Sequence, residues 1–155
     1  MKYFVECNNI FNKKDIYITS SLGEKIYTLK KNKLSNINNV SVYDSFNKLV
    51  YRMKVNPLKL KRRYVLTNRD NDVVFFINKS LIYIHDLFLN EKRYIIKGSM
   101  FKMKFLLYDY DSVVSTLRVK RIDKKRYFEI SIKDDLNDVF VLAMLFIAQA
   151  IREII

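Results

Sequence analysis

VFVLAMLFIAQAIREII, from Val139 to Ile155, is apolar almost all round and closes a chain whose earlier apolar residues fall in short runs between turn formers. From Val139 to Ile151 only Gln149 is polar, whereas a helix lying on a protein surface carries a polar stripe. Ahead of it, Asp135 and Asp138 have the spacing of a capping arrangement with carboxylates at the positive helix end, and Arg152 complements the opposite pole. Such a helix must be enclosed. The stretch is well short of the roughly 20 apolar residues that cross a bilayer. A tail inserted into a membrane or partner is the other reading, and it would leave the preceding strands without a core.

Working outward, four windows of fourteen residues superimpose without a gap: IYITSSLGEKIYTL from Ile16, VSVYDSFNKLVYRM from Val40, YVLTNRDNDVVFFI from Tyr64 and KFLLYDYDSVVSTL from Lys104. The first three begin 24 residues apart. The third position is a branched apolar residue (Ile18, Val42, Leu66, Leu106), the eighth a turn former (Gly23, Asn47, Asn71, Asp111) and the eleventh Ile or Val (Ile26, Val50, Val74, Val114). Gly, Asn and Asp tolerate the positive φ of hairpin turns, and β-branched and aromatic neighbours suit a pleated surface, so each window predicts one hairpin. Leu81–Ile84 and Arg93–Lys97 add two short apolar runs, with Gly98 and Ser99 breaking the second from the strand that follows. Arg126–Ile132 alternates Tyr127, Glu129 and Ser131 against Phe128, Ile130 and Ile132, the period of a final strand. Pro57, the one proline, fits a connection or a sheet edge.

The sum is ten to twelve short strands before one enclosed helix, with no linker long enough to divide the chain. Strands in so short a chain surround a helix by curling into a barrel, which also removes exposed edges. The expectation is a mainly β, closed antiparallel barrel of about 12 strands built from hairpins around a buried hydrophobic C-terminal helix, one domain over residues 1–155.

The repeated strand-turn-strand unit, the strands split at Gly98, the basic VKRIDKKRYFEISI (Val119–Ile132) and the closing FVLAMLFIAQAI (Phe140–Ile151) together resemble the LURP-one-related family, whose fold is like the C-terminal domain of tubby proteins. The resemblance runs from about Phe4 to Ile151. Where relatives often carry an Ile-Asp pair late in the helix, this chain has Ala148 and Gln149. The resemblance implies a barrel of about twelve strands around a C-terminal helix, and kinship with phosphoinositide-binding tubby domains and phospholipid scramblases. Tubby domains bind lipid through basic residues before a strand, and Lys59, Lys61 and Arg63 ahead of Tyr64 are similar in type, although the surrounding residues do not match. Fold alone does not assign function.

Lys and Arg number 29 against 16 Asp and Glu, a net charge of +13 that attracts nucleic acid, anionic lipid and acidic proteins alike. The skew toward Lys, Asn and Ile lowers the weight of that charge, since an AT-rich genome produces it too. Two clusters stand out as candidate anion-binding sites: Lys59, Lys61, Arg62 and Arg63, and the run Arg118, Lys120, Arg121, Lys124, Lys125 and Arg126. At a strand period of two, Lys59, Lys61 and Arg63 share one side, as do Arg118 and Lys120, forming spokes on the outside of a barrel. A solvated face that keeps a sheet protein soluble is the plainer account of both.

On the family resemblance alone, anionic membrane lipid is preferred as partner over nucleic acid, although the steps Arg63–Tyr64 and Arg126–Tyr127 would suit base stacking. No catalytic constellation, metal-ligand cluster or phosphate loop is legible, so neither an enzyme nor a cofactor is expected. His85 beside Asp86 lacks a nucleophile, and Asp109 and Asp111 at a hairpin tip lack the spacing of a calcium loop. Cys7, the one cysteine, reads as a small buried residue without a disulfide partner, and Met1–Ile10 lacks a secretory signal. A cytoplasmic protein, peripheral to a membrane where it binds lipid, is the expectation.

Overall fold

The computed structural model describes residues 1–7, 15–31, 39–56, 63–81, 84–99 and 102–154, and side chains there except at 55–56, 63, 79–81, 99 and 149–154. Twelve strands follow in order: β1 (Lys2–Glu6), β2 (Ile16–Ser20), β3 (Lys25–Lys31), β4 (Val40–Tyr43), β5 (Leu49–Asn56), β6 (Arg63–Asn68), β7 (Val73–Leu81), β8 (Ile84–Leu89), β9 (Lys92–Ser99), β10 (Lys104–Asp109), β11 (Ser112–Ile122) and β12 (Lys125–Ile132). Helix α1 (Val139–Ile154) ends the fold. Every strand pairs antiparallel with its sequence neighbours, and β1 pairs with β12, so the wall closes and has no edge.

The first three windows fold alike, for a reason visible in their turns. In each, an amide returns to the carbonyl three residues back (Gly23 to Ser20, Asn47 to Asp44, Asn71 to Asn68), and Gly23, Asn47 and Asn71 have φ of 82°, 61° and 63°. A type I turn followed by a left-handed residue makes a three-residue hairpin loop with a bulge, and the registers shift at the equivalent Ile18, Val42 and Leu66. Position five of each window supplies a further support. Asp44 Oδ1 accepts from the amides of Phe46 and Lys48 (2.9 Å each), with Ser20 and Asn68 making the same pair of bonds in their own turns.

The fourth window is out of phase. Its positive φ falls on Tyr110 (54°), not on Asp111, and its inward residues are Phe105 and Leu107 while Leu106 is half-buried. A tighter turn, with Asp109 opposite Ser112, shifts the pleat of β10 by one residue and exchanges its two faces, while Leu117 on the returning strand stays inward like Leu29, Met53 and Ile77. Three further expectations are corrected. Leu81 ends β7 and Ile84 begins β8, so the run is shared between two strands, with residues 82–83 outside the described residues. Gly98 lies inside β9 opposite Phe105 and does not break it; the Phe105 ring covers the space where a side chain would stand. The third correction concerns the helix start: Asn137 Oδ1 accepts from the Val139 amide at 3.0 Å, Asp138 contributes its carbonyl to the Val141 amide, and Asp135 is exposed.

Inside the wall, all ten residues from Val139 to Ala148 are buried, so this part of α1 shows no solvent stripe. Ile18, Leu29, Leu66, Ile77, Ile96, Leu117 and Ile130 meet it from the wall, and Tyr94 packs edge-on to Phe140 with ring centroids 5.1 Å apart. Cys7 is buried too. Where α1 enters the barrel, Asp138 Oδ1 accepts from the Tyr27 hydroxyl at 2.9 Å, and Tyr51 lies 6.3 Å from the Tyr27 ring. Burial first, and then the Asp138 charge, push the hydroxyls of Tyr3, Tyr27 and Tyr51 above the ordinary phenol range, which keeps Tyr27 a donor. A Tyr27→Phe variant is expected to lose about 1.5–3 kcal/mol in chemical denaturation, the value of a hydrogen bond to a charged acceptor. An unchanged midpoint would mean that this bond does not anchor the helix.

Candidate anion-binding surface

Alternating strand directions give the barrel two unlike ends. The turns that follow the even-numbered strands β2 to β10, together with the β12–α1 segment, form one end, and ten of the chain's 16 acidic residues lie in or beside them. Leu22 and Phe46, at equivalent positions of adjacent hairpins, stand 85% and 82% exposed there, with Tyr110 beyond. Lys31, Lys54, Lys97, Lys102 and Lys104 sit at the other end beside the β11–β12 turn, against Glu6, Asp15 and Asp123 among the residues whose side chains are described. Lys25, Lys48, Arg69, Lys92, Arg93 and Lys133 lie at the acidic end as well, so among the described residues that end carries a modest excess of negative charge and the other end an excess of positive charge.

The β11–β12 hairpin projects from the basic end. Pairing of β11 to β10 stops at Arg118–Lys104, and pairing of β12 to β1 stops at Tyr127–Glu6. Val119 to Ile122 on one strand, and Lys125 and Arg126 on the other, continue as a ribbon whose strands pair, among the described residues, only with each other, around the left-handed turn residues Asp123 and Lys124. Two left-handed residues in a two-residue loop match the twist of the flanking strands. Arg121, Ile122, Lys124, Lys125 and Arg126 are all exposed.

The sequence-derived candidates fare unequally. Lys59, Lys61, Arg62 and Pro57 lie outside the described residues, and Arg63 is placed only by its backbone, at the start of β6. Arg118 and Lys120 do share the outer face, but both are engaged: Glu129 Oε1 accepts from Arg118 at 2.7–2.8 Å and Glu129 Oε2 lies 3.2 Å from Lys120 Nζ. The covered Glu129 is 1% exposed. Burial pushes its carboxyl up, yet the hydrogen bonds and charges of the two cations outweigh that and hold it below the usual carboxylate range. Arg118 and Lys120 thus form an ion-paired triad with Glu129 while their own side chains stay 54% and 44% exposed, and the cations without a close carboxylate lie at the tip. Arg121, Lys124 and Arg126 have no carboxylate within 4 Å among the described residues, and Lys125 has Glu6 at 3.9 Å.

Strand geometry also separates the remaining pairs. His85 is buried on the inner face of β8 while its neighbour Asp86 faces outward and binds Arg93 at 2.8–3.0 Å, so the two do not form a general-base pair. Asp109 is held by Lys92 at 2.6 Å. Tyr64 is 7% exposed, and Arg126 and Tyr127 point to opposite faces, so neither basic-aromatic step offers a stacking platform. On the wall, lysines lie over tyrosine rings, as Lys25 does over Tyr17 at 4.1 Å and Lys97 over Tyr108 at 5.3 Å. Two open depressions, of about 410 Å³ beside Ser115 and Ser131 and about 590 Å³ beside Lys92, Arg93 and Tyr108, lie on the outside. No helix among the described residues is long and apolar enough to cross a membrane.

What sequence reading missed was the face on which Arg121 and Arg126 lie. The signal was present, because a two-residue turn at Asp123 and Lys124 sets them opposite each other.

Comparison with known proteins supports the architecture. A sequence model described as LURP-one-related matches residues 1–149. The crystal structure of a protein from Arabidopsis thaliana superimposes with a TM-score of 0.70 at 14% identity, covering 97% of this chain and 91% of that one, a likeness of fold. Among curated proteins, none matches the chain.

Proposed function

This chain belongs to the LURP-one-related family, and from that premise we propose that it is a non-enzymatic binding module that meets anionic phospholipid head groups with the basic end of its barrel. The projecting β11–β12 tip carries the reading: it holds Arg121, Lys124, Lys125 and Arg126 beyond the neighbouring strands with one carboxylate, Asp123, in the turn. Near an anionic surface each such cation contributes about 1 kcal/mol. The exposed Ile122 adds an apolar contact beside them. A filled interior leaves recognition to the exterior, and the acidic opposite end orients the barrel, since it is repelled where the tip is attracted. The buried Tyr64 and the split Arg126–Tyr127 step favour this reading over a single-strand nucleic-acid binder, which needs aromatic faces within reach of its cations.

Flotation with phosphatidylcholine vesicles, with and without phosphatidylserine, tests it. Binding is expected only with the anionic lipid and falling as salt rises, and Lys124→Ser with Lys125→Ser is expected to weaken it about 30-fold, from roughly 2 kcal/mol of lost attraction. Lys92→Ser and Arg93→Ser, at the acidic end, should leave flotation unchanged. Indifference to lipid charge, or tighter binding to single-stranded RNA than to vesicles in a parallel salt titration, would overturn the proposal. Changing Lys59, Lys61 and Arg63 together to Ser assays the other basic cluster; unaltered flotation assigns that cluster to solvation.

A further inference from the structure

On the inner face of β11 and β12 the cross-strand rungs climb from Leu117–Ile130 to Val119–Phe128 and then to Arg121–Arg126. Leu117, Ile130 and Phe128 are fully buried and Val119 packs against the core, so the next rung continues the core-facing side beyond the rim. There the side chains are two arginines, directly opposite, both exposed, on a ribbon with no further strand to either side among the described residues.

Like charges directly opposite each other in a sheet destabilise it. The outer-face rungs of the same hairpin show how that cost is avoided here, since Arg118 is opposite Glu129, which also binds Lys120. No carboxylate lies within 4 Å of the Arg121 or Arg126 guanidinium among the described residues. Opposite residues on adjacent strands have Cα atoms roughly 5 Å apart, and two long guanidinium side chains from that base can converge on one small anion. Each fork presents paired N–H donors in the geometry that matches two oxygens of a phosphate, and two positive charges match a dianion.

We propose that Arg121 and Arg126 form a fork for a phosphomonoester dianion, the terminal phosphate of a lipid head group or of a small soluble metabolite. The proposal rests on the basic-tip reading above and goes further by naming two residues and one ligand chemistry. A phosphomonoester offers three terminal oxygens and close to two charges, whereas the phosphodiester of phosphatidylserine offers two oxygens and one charge. The fork therefore discriminates between lipids that equal surface charge alone would treat alike. Lys124 and Lys125, at the turn beside it, raise the local concentration of either.

The test compares vesicles of matched surface charge containing phosphatidic acid or phosphatidylserine, with glycerol 3-phosphate titrated calorimetrically as the soluble arm. The parent protein is expected to prefer phosphatidic acid by about 10-fold or more. Arg121→Lys with Arg126→Lys keeps the charge and removes the bidentate donors, so it should abolish that preference, whereas Lys92→Ser with Arg93→Ser, at the acidic end, should leave both the preference and phosphatidylserine flotation unchanged. Binding of glycerol 3-phosphate by the parent alone identifies a soluble source; a preference seen only on vesicles identifies the lipid. Equal binding of both lipids by the parent, or a preference that survives in the lysine variant, overturns the fork and leaves the basic-tip reading standing. Loss of all vesicle binding in the parent overturns the basic-tip reading instead. Thermal melting of the single variants Arg121→Lys and Arg126→Lys separates a packing role: if either melts lower and glycerol 3-phosphate still protects it as it protects the parent, the arginines serve the fold and the fork is wrong.

Discussion

A Leu145→Asp variant is expected not to fold. Leu145 is fully buried in the middle of α1, and its neighbours Met144 and Phe146 are 0% and 4% exposed, so no rotation of the helix brings position 145 to water. An unpaired carboxylate there costs several kcal/mol even after it takes up a proton, against a total stability of roughly 5–15 kcal/mol for a domain. Removing the helix from the barrel does not relieve the cost, because the inner wall residues Ile18, Leu66, Ile77 and Ile96 would then face a cavity. Expression in the insoluble fraction, or a soluble chain without a cooperative melt, is the expected result. A soluble variant with a sharp transition near that of the parent would contradict the enclosed helix, and with it the view that recognition is confined to the exterior.

Gly98→Ala is expected to lower stability by about 3 kcal/mol, or roughly 10 °C in melting temperature for a chain of this size. A Cβ at position 98 would fall within contact distance of Cδ1 and Cε1 of the Phe105 ring, which lies across the glycine backbone from the next strand. Phe105 is fully buried and has no solvent side to retreat toward. Its ring can move only by displacing other core residues or the wall. The double variant Gly98→Ala with Phe105→Leu should therefore be more stable than the sum of the two single changes predicts, because the smaller side chain gives the methyl group room. Additivity of the two changes would show that the ring does not oppose the Cβ.

Particular residues show where the sequence was legible. The enclosed helix followed from an apolar run with no polar stripe, and the first three hairpins from the recurrence of Gly23, Asn47 and Asn71, each now seen with positive φ. Register was less legible. The fourth window aligns letter for letter with the others, yet its tighter turn exchanges the inner and outer faces of β10, so Leu106 turns out and Phe105 turns in. β1 and β8 went unread for two physical reasons. KYFVE is too short for a period to show, and IHDLFL sets His85 at an inward position where an apolar residue is expected. Gly98 was read as a breaker because the sequence does not show that the ring of Phe105 would occupy the space above it.

The candidate site divides the same way. Composition alone located the cations of the β11–β12 segment, but not which were already neutralised. Glu129 reads as a solvent-facing residue of an alternating strand; in the folded chain Arg118 and Lys120 close over it and it balances part of their charge.

By itself the sequence determined the local geometry of this protein: which residues turn, which alternate, and which stretch is too apolar to meet water. Those properties depend on φ preferences and hydrophobic periodicity within a few residues of each position. Only the tertiary structure decided that β1 seals the wall against β12, that one end is acidic and the other basic, and that Arg121 stands opposite Arg126. Each of these depends on strand direction and register, which are settled by how the whole wall packs on one helix and are written at no single position of the chain.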